Sequence, residues 1–267
     1  MSFDCPIILQ QALPFAPWVD PRTRRLPGTI PVGPDDWIQA DDAFAAQMAL
    51  RDRLIAVRPE AVLALAERAR PAAEELWEMV MALLPARGYA VGAGAVTRPD
   101  GVSVPLDRAR PLATLGRLVQ EDLCLMQPGE DGAESVLTGA VLCFPAGWSL
   151  SEKFDRPMMR IHRPVEKYDE DVGRRVQRLM DGVQPGRPLC RGTAHRTNSR
   201  LHNPRTEAMG RSIEAALPFI RVERQCLVRL PVTRAVLFSI HTYIVEPGAL
   251  SAEQVAALHD SPLRHAA

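Results

Sequence analysis

Apolar positions in the first half of the chain recur at helical spacing. Phe44, Met48, Leu50, Leu54 and Val57 form one stripe, and Asp35 or Asp41 ahead of it can cap the helix start. Pro59 suits the first turn of a second helix that carries Val62, Leu63, Leu65 and Ala66 on one face. Pro71 breaks or restarts the pattern, which resumes with Leu76, Trp77, Val80, Met81 and Leu84. Residues 112–125 are a third helical candidate, with Glu121 and Asp122 as its polar side. Near residue 134 the character changes. Residues 136–144 form an unbroken apolar run ended by Pro145, as a buried strand would. Residues 169–180 return to helical spacing, with Val172, Val176, Leu179 and Met180 opposite arginines. Residues 219–230 and 234–245 alternate as two strands around Pro231-Val232-Thr233, a hairpin signature.

In the first hairpin strand Ile220, Val222, Cys226, Val228 and Leu230 share one face, against Arg221, Glu223, Gln225 and Arg229. Arg224 falls among the apolar set, so its guanidinium points inward and requires a carboxylate or other acceptor. Residues 1–34 are Pro-rich with isolated anchors at Phe15, Trp18, Leu26 and Ile30, and read as an arm laid over the surface. The rest reads as one α+β domain over 35–250, helical at 35–128 and sheet-rich at 134–245, followed by a tail at 251–267. An antiparallel sheet flanked by helices is the expected architecture.

Composition narrows the functional classes. The 267 residues carry 32 basic and 32 acidic side chains, a balance that attracts neither nucleic acid nor an anionic membrane. No segment reaches membrane-spanning length and no secretory leader is evident, so a cytoplasmic location is expected. The five cysteines are scattered without a CxxC, which removes the usual signatures of zinc ribbons, iron–sulfur ligation and covalent c-type haem. Gly92-Ala93-Gly94-Ala95 never completes a GxGxxG, so nicotinamide and flavin binding are not expected.

The densest chemistry lies at 144–165. Arg156-Pro157 and Arg163-Pro164 bracket His162 and bias the backbone on both sides toward extended geometry. A lone imidazole among Met158, Met159 and Ile161 suits either a hydrogen-bonded core residue or a fixed ligand, and imidazole is a common axial ligand of haem iron. Glu152-Lys153 suits acid–base work or a solvated surface pair. Of the remaining histidines, His195 and His202 read as part of a polar loop without zinc-protease spacing, His241 sits in the second hairpin strand, and His259 and His265 belong to the tail. Arg174, Arg175, Arg178, Arg187 and Arg191 cluster around Pro185-Gly186, either as a solvated helix face or as an anchor for carboxylates such as haem propionates.

Taken in order, several blocks resemble a known family. They are 118–125, Cys143-Phe144-Pro145 with Trp148, Glu152-Lys153, Arg156-Pro157, Ile161-His162 and Pro164-Val165, then Glu223-Arg224-Gln225, Leu230-Pro231, 235–238 and Thr242-Tyr243. Together they are similar to the haem-dependent oxidative N-demethylase alpha-subunit family of dimethylamine monooxygenase-like proteins. The resemblance implies a PAS-like fold holding a non-covalent b-type haem, with His162 as the metal ligand and with Arg224 and Arg160 as further cofactor contacts. It implies O₂ as co-substrate, a small amine as substrate, formaldehyde as product and a separate electron-donating reductase. Glu152, as partner of a protonated amine, and Lys153 are the catalytic candidates. A non-catalytic haem-binding sensor of the same fold is the alternative. Departures from the pattern are Asp155 where Gly is usual, Glu166 where Pro is common, the absence of an expected Trp near Arg191-Gly192-Thr193-Ala194-His195, and His241 where Arg is common.

Overall fold

The computed structural model describes residues 5–24, 28–130, 132–165, 168–198, 200–209, 217–260 and 263–265. Leu26 and Glu166 lie outside the described residues. Helix α1 (Phe44–Val57) follows Asp41, whose Oδ1 accepts the Ala43 N–H at 2.9 Å. After one turn at Pro59–Val62 the chain extends into strand β1 (Leu63–Leu65), then forms α2 (Arg70–Leu83) with Pro71 in its first turn, where no N–H partner is needed. Helix α3 (Pro111–Gly116) precedes strands β2 (Asp122–Pro128) and β3 (Ser135–Val141). Three helices come next: α4 (Leu150–Lys153), α5 (Met158–His162) and α6 (Glu170–Gly182). Strands β4 (Leu189–Thr197), β5 (Phe219–Arg229) and β6 (Val236–Val245) and helix α7 (Ala252–Asp260) complete the frame.

The main sheet runs Ile30–Pro31, β4, β5, β6, β2, β3, β1, antiparallel at every step, with Arg264–His265 added parallel to β4. A second, three-stranded sheet joins Ala90–Val91, Ala95–Thr97 and Ser103–Pro105. The molecule is therefore α+β, a large antiparallel sheet flanked by helices.

Each face of the main sheet has its own cover. On one face Leu123, Leu125, Cys226, Val228 and Leu237 pack with Leu54, Leu76, Trp77 and Val80 of α1 and α2. Farther along that face the N-terminal segment brings Leu13 and Trp18 onto Ile220, Val222, Tyr243 and Val245. Trp18 Nε1 donates to the Gln254 carbonyl at 2.9 Å, which ties the segment to α7. Gly192 is required beneath it, because a Cβ there would sit 2.5 Å from Phe15. On the opposite face Cys124, Met126, Leu137, Leu227 and Val236 pack against Leu150 and Met180, with Trp148, Phe154, Met158, Ile161 and Phe238 around them. The second face carries α4, α5 and α6.

Three expectations are corrected. The helix expected over 112–125 stops at Gly116, and 122–128 is strand β2, buried from Asp122 to Met126. A central strand covered on both faces has the same unbroken apolar signature as a buried helix. Glu121 and Asp122 are accordingly not a solvated helix side: Glu121 is fully buried, and Asp122 holds Arg51 Nη1 at 2.7 Å and the N–H groups of Cys143 and Phe144. The helix expected after Pro59 is a single turn, because Leu63–Leu65 pairs with β3 as an edge strand. His195 is not in a loop but in β4, whose mixed composition hid a half-covered strand.

Candidate functional site

Helix α5 is five residues long, too short to be stable by itself, and its surroundings hold it. Asp155 takes φ +56°, the left-handed region, and turns the chain into Arg156-Pro157. Its carboxylate reaches Arg68 Nη2. Asp155 N–H donates to the Leu137 carbonyl at 2.8 Å and Leu137 N–H returns to the Arg156 carbonyl at 3.2 Å, pinning the entry to α5 onto β3. Glu134 accepts the Met159 N–H at 2.8 Å. Gly173 lets α6 approach, since a Cβ there would fall 2.4 Å from Met159 Sδ.

Lys153 is buried, and its Nζ donates to the Ile161 carbonyl at 2.6 Å and pairs with Glu207 at 3.3 Å. Glu207 also pairs with Arg160 at 2.7 Å and Arg163 at 2.8 Å, and these cations hold its carboxyl down at about 2. Glu152 receives the Ser149 hydroxyl and the Glu207 backbone N–H. Glu152, Lys153 and Arg160 thus converge on one cluster whose geometric result is to fix the helix bearing His162.

The His162 ring stacks on Tyr168, with centroids 4.1 Å apart and planes 13° from parallel. Nδ1–H donates to the Met158 carbonyl at 3.0 Å. That bond leaves Nε2 as the unprotonated nitrogen, the arrangement found behind metal-ligating imidazoles. Burial lowers the pKa of His162, the Met158 contact opposes that shift, and the charges of Lys153 and Arg191 add to it, so the neutral ring is favoured. An imidazole with its ring face stacked and its Nδ1–H engaged fits an axial ligand through Nε2.

The sheet wall on this side is polar by register. Cross-strand partners share a face, so Arg191 lies with Gln225 and Ile240, and Thr193 lies with Glu223 and Thr242. Arg191 Nε and Thr242 Oγ1 are buried without a hydrogen-bond partner, as is the Tyr168 hydroxyl. Orphaned polar atoms on the face that carries α5 fit a site completed by a polar-edged, mostly apolar group.

Arg224 is elsewhere. It pairs in register with His241 on the opposite face, where its Nη1 donates to Cys226 Sγ at 3.2 Å. The carboxylates expected for it serve His241 instead: Nδ1–H donates to Glu121 at 2.9 Å and Nε2–H to Asp41 at 3.1 Å. Burial alone would lower the His241 pKa, but the two carboxylates carry it to about 9. His202 donates Nδ1–H to the Cys143 carbonyl at 2.8 Å. Sequence reasoning missed Glu207 and Tyr168. Tyr168 could have been suspected from the scarcity of Tyr near His162, whereas Glu207 left no local signal.

The fold and site define an α+β protein with a histidine on a short helix over an antiparallel sheet. The chain belongs to the family described as haem-dependent oxidative N-demethylase, alpha subunit-like, which matches residues 28–261. That description names haem dependence, oxidative N-demethylation and an alpha subunit. Among the described residues no helix is long and apolar enough to cross a membrane.

Proposed function

We propose that this chain binds a non-covalent b-type haem through His162 and oxidatively demethylates a small, dimethylamine-like amine with O₂. Formaldehyde is released and electrons arrive from a separate reductase. The observation that carries the reading is the Nδ1–H bond from His162 to Met158, which leaves Nε2 available. Bound haem supplies the one-electron and O₂ chemistry that amino-acid side chains lack. Overall, the N-methyl amine, O₂, two electrons and two protons yield the demethylated amine, formaldehyde and water.

The chain's own residues position and shield. Lys153 and Glu207 hold α5, and Tyr168 sets the plane of the imidazole. Phe154, Met158, Ile161 and Phe238 provide an apolar lining that keeps water out. Glu152 and Lys153 act here as positioning residues for His162, because their polar atoms are engaged in that scaffold.

Haem-loaded protein given a reductant is expected to release formaldehyde from dimethylamine with matching O₂ uptake. Haem binding without formaldehyde from any small N-methyl amine would leave a non-catalytic haem module and overturn the enzymatic reading.

A further inference from the structure

Of the five arginines clustered around Pro185-Gly186, four face solvent. Arg174 and Arg175 pair with Glu170 and Asp171 on α6, and Arg178 and Arg187 are exposed. Arg191 differs. It lies within β4 on the face that carries α5, mostly covered, with Nε buried and unpartnered. The nearest carboxylate on that wall is already engaged: Glu223 Oε1 accepts from Arg221 at 3.2 Å, and Oε2 accepts from Gln225 at 3.0 Å. A covered guanidinium without its own carboxylate is costly, and guanidinium geometry matches carboxylate oxygens. Thr242 Oγ1, one register row away on the same face, is a second unspent donor.

We infer that Arg191 is the carboxylate-receiving residue of this site, pairing with an acidic group of the bound ligand rather than with the protein. This rests on the haem reading above. The carboxylate has two possible sources, a haem propionate or an acidic N-methyl substrate such as an N-methyl amino acid.

The test uses haem-loaded wild type, R191Q and R191K, with unfolding midpoints measured to show that each folds. Haem transfer to an apomyoglobin acceptor is timed for haem and for its dimethyl ester, which lacks propionate charge. Separately, N-methylglycine and dimethylamine are titrated against the Soret band. With a propionate partner, R191Q loses haem at least about tenfold faster, loses the ester at the wild-type rate, and R191K falls between. With a substrate carboxylate, haem loss is unchanged, but N-methylglycine perturbs the wild-type spectrum and R191Q abolishes that response while dimethylamine still acts. If R191Q matches wild type in both arms, the inference is overturned and the haem reading stands. Wild type that holds neither porphyrin overturns both.

Discussion

Lys153 Nζ donates to the carbonyl of Ile161, the residue just before His162, at 2.6 Å. A buried ammonium therefore terminates the helix that carries the imidazole. Cations at a helix C-terminus are favourable, and this one also bridges α4 to α5.

Lys153→Met should cost about 1.5–3 kcal/mol of stability, the range for hydrogen bonds to charged groups. Its larger effect should be on α5, with faster haem loss and a broadened Soret band. Chemical denaturation and haem-transfer kinetics measure the two; unchanged haem retention with reduced stability would remove the positioning role.

Glu207 should govern acid behaviour at the site. Its pKa is depressed to about 2 by Arg160, Arg163 and Lys153, so its contribution is complete above about 4.5 and is lost as pH falls toward 2. Glu207→Gln should flatten the pH dependence of the unfolding midpoint in that window, and added salt should shrink the wild-type effect because two of its partners are substantially exposed.

His241 should govern the alkaline side. Its pKa is raised to about 9, so the stabilisation is whole below about 6.5 and disappears as pH rises through 9. The loss is on the order of 3 kcal/mol. His241→Gln should remove this slope in urea titrations at pH 6 and 9.5. Because His241 lies on the opposite face from α5, haem spectra at pH 7 should not change.

Asp155 tests the backbone conformation at the entry to α5. Asp155→Gly and Asp155→Ala both lose the Arg68 pair, but only Gly adopts φ +56° freely. The Gly variant should be about 1 kcal/mol more stable than the Ala variant in thermal or urea unfolding.

Elements with a strong local period were legible from the residues. Helices α2 and α6 follow their apolar stripes, and Asp169 caps α6 by accepting the Val172 N–H at 2.8 Å. Helix α1 forms where its stripe was expected, but it buries Gln47 and Arg51 and leaves Val57, the last expected stripe residue, exposed. The β5–β6 hairpin lies where alternation placed it, with Arg234 at φ +62° in its turn and Glu75 binding the loop N–H groups. Strand β2 was not legible, because covering both faces erases alternation. Strand β4 was not legible either, since Leu189–Thr197 mixes polar and small residues under a partial cover. At the site, Pro157 is extended as expected, but Arg163, expected to be extended ahead of Pro164, is helical at φ −48° and ψ −37° because it continues the turn of α5. Which face Arg224 occupies relative to His162, and the reach of Glu207 to Arg160 across 47 residues, are tertiary facts that no short window contains.

Ligation by His162 is tested most directly by the absorption spectrum of haem-loaded protein, wild type against His162→Gly, with and without added imidazole. A Soret band that shifts or vanishes in the variant and returns with imidazole is the expected result. A variant that retains stoichiometric haem, the wild-type Soret position and no response to imidazole would contradict it.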